Sequence, residues 1–304
     1  METRRALLVD AFTREPLSGN AAGLVPEAEG LDDEQMGSIA RELNASETAF
    51  LLPSAEADRR LRYFTPAGEI DLCGHATVAA HAWMAENGRL TGGAHTVETN
   101  VGVLDIELDE GVVWMTQDVA EVTRVDLEYD RIASALGVDP ATLADVGADL
   151  PLATASTGLE YLVVPVNFLS ALSGADPDFG AIGTLTEEFD ATGLYAFTFD
   201  TLEGNATLHG RMFAPGVGVD EDPVTGTAAG AVGAYLRGVE AFEGELPEET
   251  VIEQGHFLDR PGRVRVRART DPVAVGGRAV TALEGTIAVP DPGDDDIIEA
   301  TGPS

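Results

Sequence analysis

The 304-residue chain has no lysine, and its 18 basic residues, all arginine, face 53 aspartates and glutamates, for a net charge of −35. A surface of that sign repels phosphate backbones and anionic lipid, which excludes nucleic acid and membrane surfaces as partners. Without lysine, pyridoxal Schiff-base chemistry is excluded too. The single cysteine, Cys73, permits no intramolecular disulfide and fits a reducing compartment. No apolar run reaches the roughly 18 residues a membrane span needs, and METRRALLVD lacks a signal-peptide core, so a cytoplasmic protein is expected. No P-loop, no strand-to-helix G-x-G-x-x-G, no G-x-S-x-G and no zinc spacing is present, so neither a cofactor nor a metal is expected. The acid is spread along the chain, densest at 240–249 and 291–299. That pattern predicts a halophilic protein, because at 1 M salt the screening length falls to about 3 Å.

What the chain does have is a repeated grammar. Arg62-Tyr63-Phe64-Thr65-Pro66 returns as Arg211-Met212-Phe213-Ala214-Pro215. Each copy is followed by a glycine opening an Ala-rich run, at Gly74 and at Gly226, 152 positions apart and half the chain length. This spacing predicts an internal duplication with two buried helices, over 76–86 and 227–236, since a helix apolar on every side is a buried helix. Their first N–H groups lack intrahelical partners, so two such helix starts facing each other would hold one anionic ligand between them. Glycines that merely allow close packing are the simpler alternative.

Strand-like runs outnumber helical ones. The fold class expected is therefore α/β (α+β), with two similar domains at 1–120 and 121–282. Each would wrap a curved, mostly antiparallel sheet around its own helix, a strand at 283–289 could cross back to the first domain, and 290–304 would be an acidic tail. An amphipathic helix over 32–43 carries Met36, Ile39, Ala40 and Leu43 on one face, with Asp32 or Asp33 as its cap. Late strands are expected at 251–253, 263–269 and 278–288.

Several residues could carry chemistry. Glu47, in SETAF, enters an apolar strand, where a dry cleft would raise its pKa and suit it to general acid/base work; a capping or solvated glutamate is the simpler reading of the residue alone. His75 follows Gly74 and could pass a proton or bind substrate. Asp222 precedes Gly226 and could orient a substrate group, or simply favour a helix N-terminus. Asp220, Glu221 and Asp222 could hold a divalent cation but lack complementary ligands at a recognisable spacing. Cys73, at a helix start, invites a thiolate reading. A two-thiol racemase needs a second cysteine one residue before Gly226, where Thr225 stands, so that mechanism is excluded. The remaining histidines, at 81, 95, 209 and 256, have no ligand spacing and are expected to be structural.

Five motifs in order resemble one family. VDAFTREPLSGNAAGLV (9–25), SETAF (46–50), FTPAGEIDLCGHAT (64–77), EDPVTGTAAG (221–230) and EQGHFLDRPGRV (253–264) are similar to the PhzF family, the phenazine biosynthesis-like isomerases of the diaminopimelate epimerase-like fold. The resemblance implies two domains around a cleft, a homodimer, and cofactor-free proton transfer on a small carboxylate-bearing substrate. Matched to the motifs, Glu47 is the catalytic glutamate, His75 and Asp222 assist, and Asn20, Gly74, Gly226 and Thr227 surround the substrate. Serine is commoner in the family where Thr227 stands, and the hydroxyl is kept. Cys73 with Thr225 also resembles the pair of the related hydroxyproline dehydratases, which leaves a Cys73-based dehydratase or epimerase of a proline-like amino acid as the alternative. A small-acid binding protein without catalysis is a third reading.

Overall fold

Both Ala-rich runs become buried helices in the computed structural model, which describes residues 2–144, 146, 150–243 and 245–291. The first central helix is Gly74–Glu86 and the second Gly226–Gly238. Each begins at its glycine, earlier than the apolar pattern implied, because the residue before the glycine is the extended one: Cys73 at φ −138° and Thr225 at φ −117°. Every residue from Ala76 to Met84 and from Ala228 to Leu236 is buried. Small side chains let the surrounding sheet close around each helix, and the two helices also touch each other.

Around them, 18 strands among the described residues join in one hydrogen-bonded network. In the first half Thr3–Ala11 pairs antiparallel with Asn20–Val25, which runs parallel to Thr48–Leu52. Arg59–Thr65 then pairs antiparallel with Thr48–Leu52, forms a short hairpin with Gly68–Ile70, and lies parallel to the end of Gly93–Thr99. The second half repeats the scheme. Glu160–Pro165 is parallel to Gly193–Thr198, Leu208–Ala214 is antiparallel to it, Val219–Asp222 closes the hairpin, and Thr250–Gln254 lies parallel to Leu208–Ala214. The duplication extends to side chains. Arg62 forks onto Glu69 at 2.7 and 2.6 Å and lies over Phe64; Arg211 forks onto Glu221 at 2.8 Å twice and lies over Phe213.

Glu121–Arg124, which opens the second half, pairs within it with Ala153–Ser156. Two late strands join the halves. Ala279–Ala288 returns to pair with Thr3–Ala11, and Ala274–Gly277 pairs with Val112–Thr116. The late strand expected over 278–288 is Ala279–Ala288, and Ala274–Gly277, just before Arg278, is a further strand outside that expectation. Outside the sheets, helix Asp33–Leu43 packs Met36, Ile39 and Ala40 on Val25, Phe50 and Phe64. Asp32 caps it through a reciprocal box with Gln35: the Gln35 N–H donates to Asp32 at 2.8 Å, and the Asp32 N–H to the Gln35 carbonyl oxygen at 3.1 Å. In the second half Tyr129–Leu136 and Phe179–Glu188 play the matching role over a second apolar cluster. The acidic tail expected from residue 290 lies, beyond Asp291, outside the described residues. No helix among the described residues is long and apolar enough to cross a membrane.

Candidate active site

Thr225 does not cap the second central helix through its side chain, and at the first the His75 and Ala76 N–H groups turn toward the Cys73 sulfur. Beside these helix starts gather groups from four other segments. Glu47, just before strand Thr48–Leu52, comes to the start of the first central helix. Its Oε2 lies 3.3 Å from His75 Nε2, without the alignment of a hydrogen bond, since that oxygen is enclosed and has no hydrogen-bond partner among the described residues. The Glu47 side chain keeps 22% of its surface exposed, so the group is reachable. His75 also lies 3.4 Å from Cys73 Sγ through Nδ1 and 3.5 Å from Ser46 Oγ through Nε2.

Asp222 closes the other side. Its Oδ1 accepts from Asn20 Nδ2 at 2.9 Å, its Oδ2 accepts from the Thr225 hydroxyl, and its carbonyl accepts from Gln254 Nε2 at 2.8 Å. Asn20 belongs to the first half, so this bond ties the halves together at the site; the same amide donates to the Val224 carbonyl at 2.9 Å. Burial pushes the Asp222 carboxyl up to about 6, the nearby Glu47 charge pushes the same way, and the Thr225 hydroxyl, His75 and Asn20 pull against them. The carboxyl that burial raises in the structure is Asp222.

The two opening glycines differ. A Cβ added at Gly74 would meet nothing within 4 Å, whereas one at Gly226 would come within 2.9 Å of the Phe12 ring and 3.4 Å of Val275. Gly226 is bare because the protein packs on it, and Gly74 leaves a space that the protein does not fill. Thr227 hydrogen-bonds the buried Tyr161 hydroxyl at 2.7 Å, so its oxygen already has a partner. Sequence reasoning missed Tyr161, Gln254 and the hydrogen bond from Thr225 to Asp222. Gln254 stands inside the EQGHFLDRPGRV motif, and Thr225 was legible as the position matching Cys73 but not as the partner of Asp222.

Cys73 is buried, and its thiol is held well above the usual range, first by burial and then by the Glu47 charge. A helix start lowers a thiol pKa, and here desolvation outweighs it. Donor atoms of Glu47, Cys73 and His75 lie within 4.8 Å of one another and could hold a metal ion; so could Glu203, Glu253 and His256. In the second group the acids are already engaged, Glu253 by His209 at 2.9 Å and by the N–H groups of Leu202 and Glu203, and Glu203 by Arg263. Asp220, Glu221 and Asp222 do not form such a group: Glu221 is held by Arg211 and Asp222 by Asn20 and Thr225. His81 is buried, donates from Nδ1 to the Thr77 carbonyl 2.8 Å away, and is pulled down to about 4 by burial.

Comparison with known proteins places this geometry. The phenazine biosynthesis-like protein family (PhzC-PhzF) matches residues 9–285. An uncharacterized isomerase of Deinococcus radiodurans is 40% identical over 294 residues, covering 91% of this chain and 92% of its own. The uncharacterized isomerase YfhB of Bacillus subtilis is 35% identical, covering 94% and 96%. Among solved structures, the Bacillus anthracis phenazine biosynthesis protein of the PhzF family superposes with a TM-score of 0.87 at 34% identity, over 95% of this chain and 100% of that one. A hydroxyproline epimerase from Agrobacterium vitis shares the fold at a TM-score of 0.57 and 13% identity, over 95% of this chain and 94% of that one. With the duplicated helix-in-sheet halves and the motifs that line their junction, these matches make the chain a member of the phenazine biosynthesis-like (PhzF) family, whose curated relatives at 32–40% identity are named isomerases.

Proposed function

We propose that the protein isomerises a small carboxylate-bearing substrate by moving one proton, with Glu47 as the general acid/base. The observation that carries this reading is the Glu47 Oε2 atom: enclosed, without a hydrogen bond among the described residues, 3.3 Å from His75, and next to the unfilled space at Gly74. A carboxylate oxygen kept free in that setting is placed to take a proton rather than to brace the fold. The N–H groups at the starts of the two central helices would hold the substrate carboxylate and stabilise charge as it develops.

The steps balance without a co-reactant. Glu47 removes a proton from carbon, the electron pair shifts into the substrate's conjugated system, and the N–H groups hold the growing negative charge. Glu47, now protonated, returns the proton at a second carbon, and the product is an isomer. His75, beside both Glu47 and Cys73, would steady the changing charge of Glu47. Asp222, fixed by Asn20 and Thr225, would orient a polar substituent of the substrate. A Cys73 base is disfavoured, because burial and the Glu47 charge both oppose the thiolate.

The test is solvent-proton exchange. The protein in D2O is mixed with small amino acids, hydroxy acids and cyclic amino-carboxylates and followed by proton NMR. Glu47→Gln should cut exchange by about 10²–10⁴-fold, the usual weight of a general base, while Cys73→Ala leaves it within a few-fold. Exchange that survives in Glu47→Gln and disappears in Cys73→Ala sinks the proposal.

A further inference from the structure

A cleft whose lining includes none of Glu47, His75 and Asp222 lies between the 12–18 loop and strands Gly262–Arg267 and Ala274–Gly277. It encloses about 230 Å³ and is lined by Arg14, Arg263, Arg265 and Arg278, four of the chain's 18 arginines, against two acids, Glu15 and Glu203. In a chain with nearly three acids for every cation, this local reversal of charge stands out. Two of the four arginines are neutralised: Arg263 pairs with Glu203 and Arg265 with Glu249 at 3.2 Å. The other two are not. Arg14 makes no hydrogen bond or ion pair among the described residues. Arg278 donates only to the Glu110 carbonyl, and its buried Nε has no partner among them.

Arg14 is exposed, but Arg278 is half-buried, and a half-buried guanidinium without an anion is costly because desolvation is not repaid. Arg278 shows that cost: burial first, then the charges of Arg14 and Arg265, pull its pKa down. The guanidinium fork is built for two parallel hydrogen bonds to an oxyanion. We propose that this cleft is a second binding site, for a small molecule bearing a phosphate or carboxylate group, which Arg14 and Arg278 grip while Arg265 adds charge at its edge. Phe12 forms the wall between the cleft and the candidate active site, for its ring also lies against Gly226, the first residue of the second central helix.

Calorimetric titration of the full chain with inorganic phosphate and with succinate, at constant ionic strength, tests this. One or both should bind, and the preferred probe names the recognised group. Arg14→Gln, on an exposed loop, and Arg278→Gln should each weaken binding at least ten-fold. Arg41→Gln, which removes a cation elsewhere on the surface, should leave it unchanged, and thermal melting confirms that each variant is folded. Binding of neither probe, or equal binding by wild type, Arg14→Gln and Arg278→Gln, overturns the proposal.

Discussion

Asp222 is an enclosed carboxyl that still feels a second carboxylate, and it therefore keeps its proton to a higher pH than an ordinary aspartate. The folded protein holds that proton between about 3.8 and about 6, where the unfolded chain has released it. More protons bound in the folded state means that stability falls as pH rises through this window. Asp222→Asn does not titrate there. The melting midpoint of wild type relative to Asp222→Asn should thus climb as pH is lowered from 7 to 4, by a difference worth at most about 3 kcal/mol. A gap that is flat across this range would mean that the carboxylate is better solvated than its surroundings indicate. Glu47 and His75 were legible as site candidates because each stands in a short motif at the edge of an element. The raised pKa of Asp222 was not legible, since it comes from burial that no local pattern encodes and from the charge of Glu47, which stands in the other half of the chain. The Thr227–Tyr161 bond was hidden for the same reason, across 66 positions.

Two helices that begin alike are used differently. Gly226→Ala would drive a methyl group to 2.9 Å from the Phe12 ring, and overpacking of this kind costs about 1–3 kcal/mol, readable as a lower denaturation midpoint. Gly74→Ala meets nothing, so the midpoint should stay within about 0.5 kcal/mol of wild type. Proton exchange should nevertheless fall in Gly74→Ala, because the methyl group fills space left for substrate. Equal destabilisation by both changes would remove the distinction between a packed and an open glycine. Both helices were legible because they are apolar all round and their punctuation is strong. Their true starts were not, since a glycine has no side chain to announce which side of a cap it lies on. The strands Gly68–Ile70 and Val219–Asp222 were not legible: with three and four mostly polar residues, only pairing with the neighbouring strand defines them. Ala274–Gly277 escaped because its glycines break strand patterning, although Gly276 and Gly277 are needed where Trp114 and Phe12 press on the backbone.

At the scale of the whole molecule, charge decides more than any ion pair. The arginine pairs on the surface are each worth about 0–1 kcal/mol and are weakened by salt. With 53 acids against 18 arginines, however, most carboxylates have no cation to pair with, and their mutual repulsion is the larger quantity. Raising the ionic strength from about 0.1 M to about 1 M shortens the screening length from about 10 to about 3 Å, so the melting midpoint should rise over that interval. A midpoint that falls or stays level would show that the surface pairs outweigh the repulsion. The late strand that returns to the first half has a further consequence, a mechanical one. Thr3 sits opposite Ala288, and the Val289 N–H donates to the Glu2 carbonyl at 2.9 Å, so the first and last strands lie as neighbours, running in opposite directions. Tension applied to the two strands at these ends does not slide them past each other; it peels their ladder apart rung by rung, starting from Thr3 and Ala288, before any interior strand pair carries load.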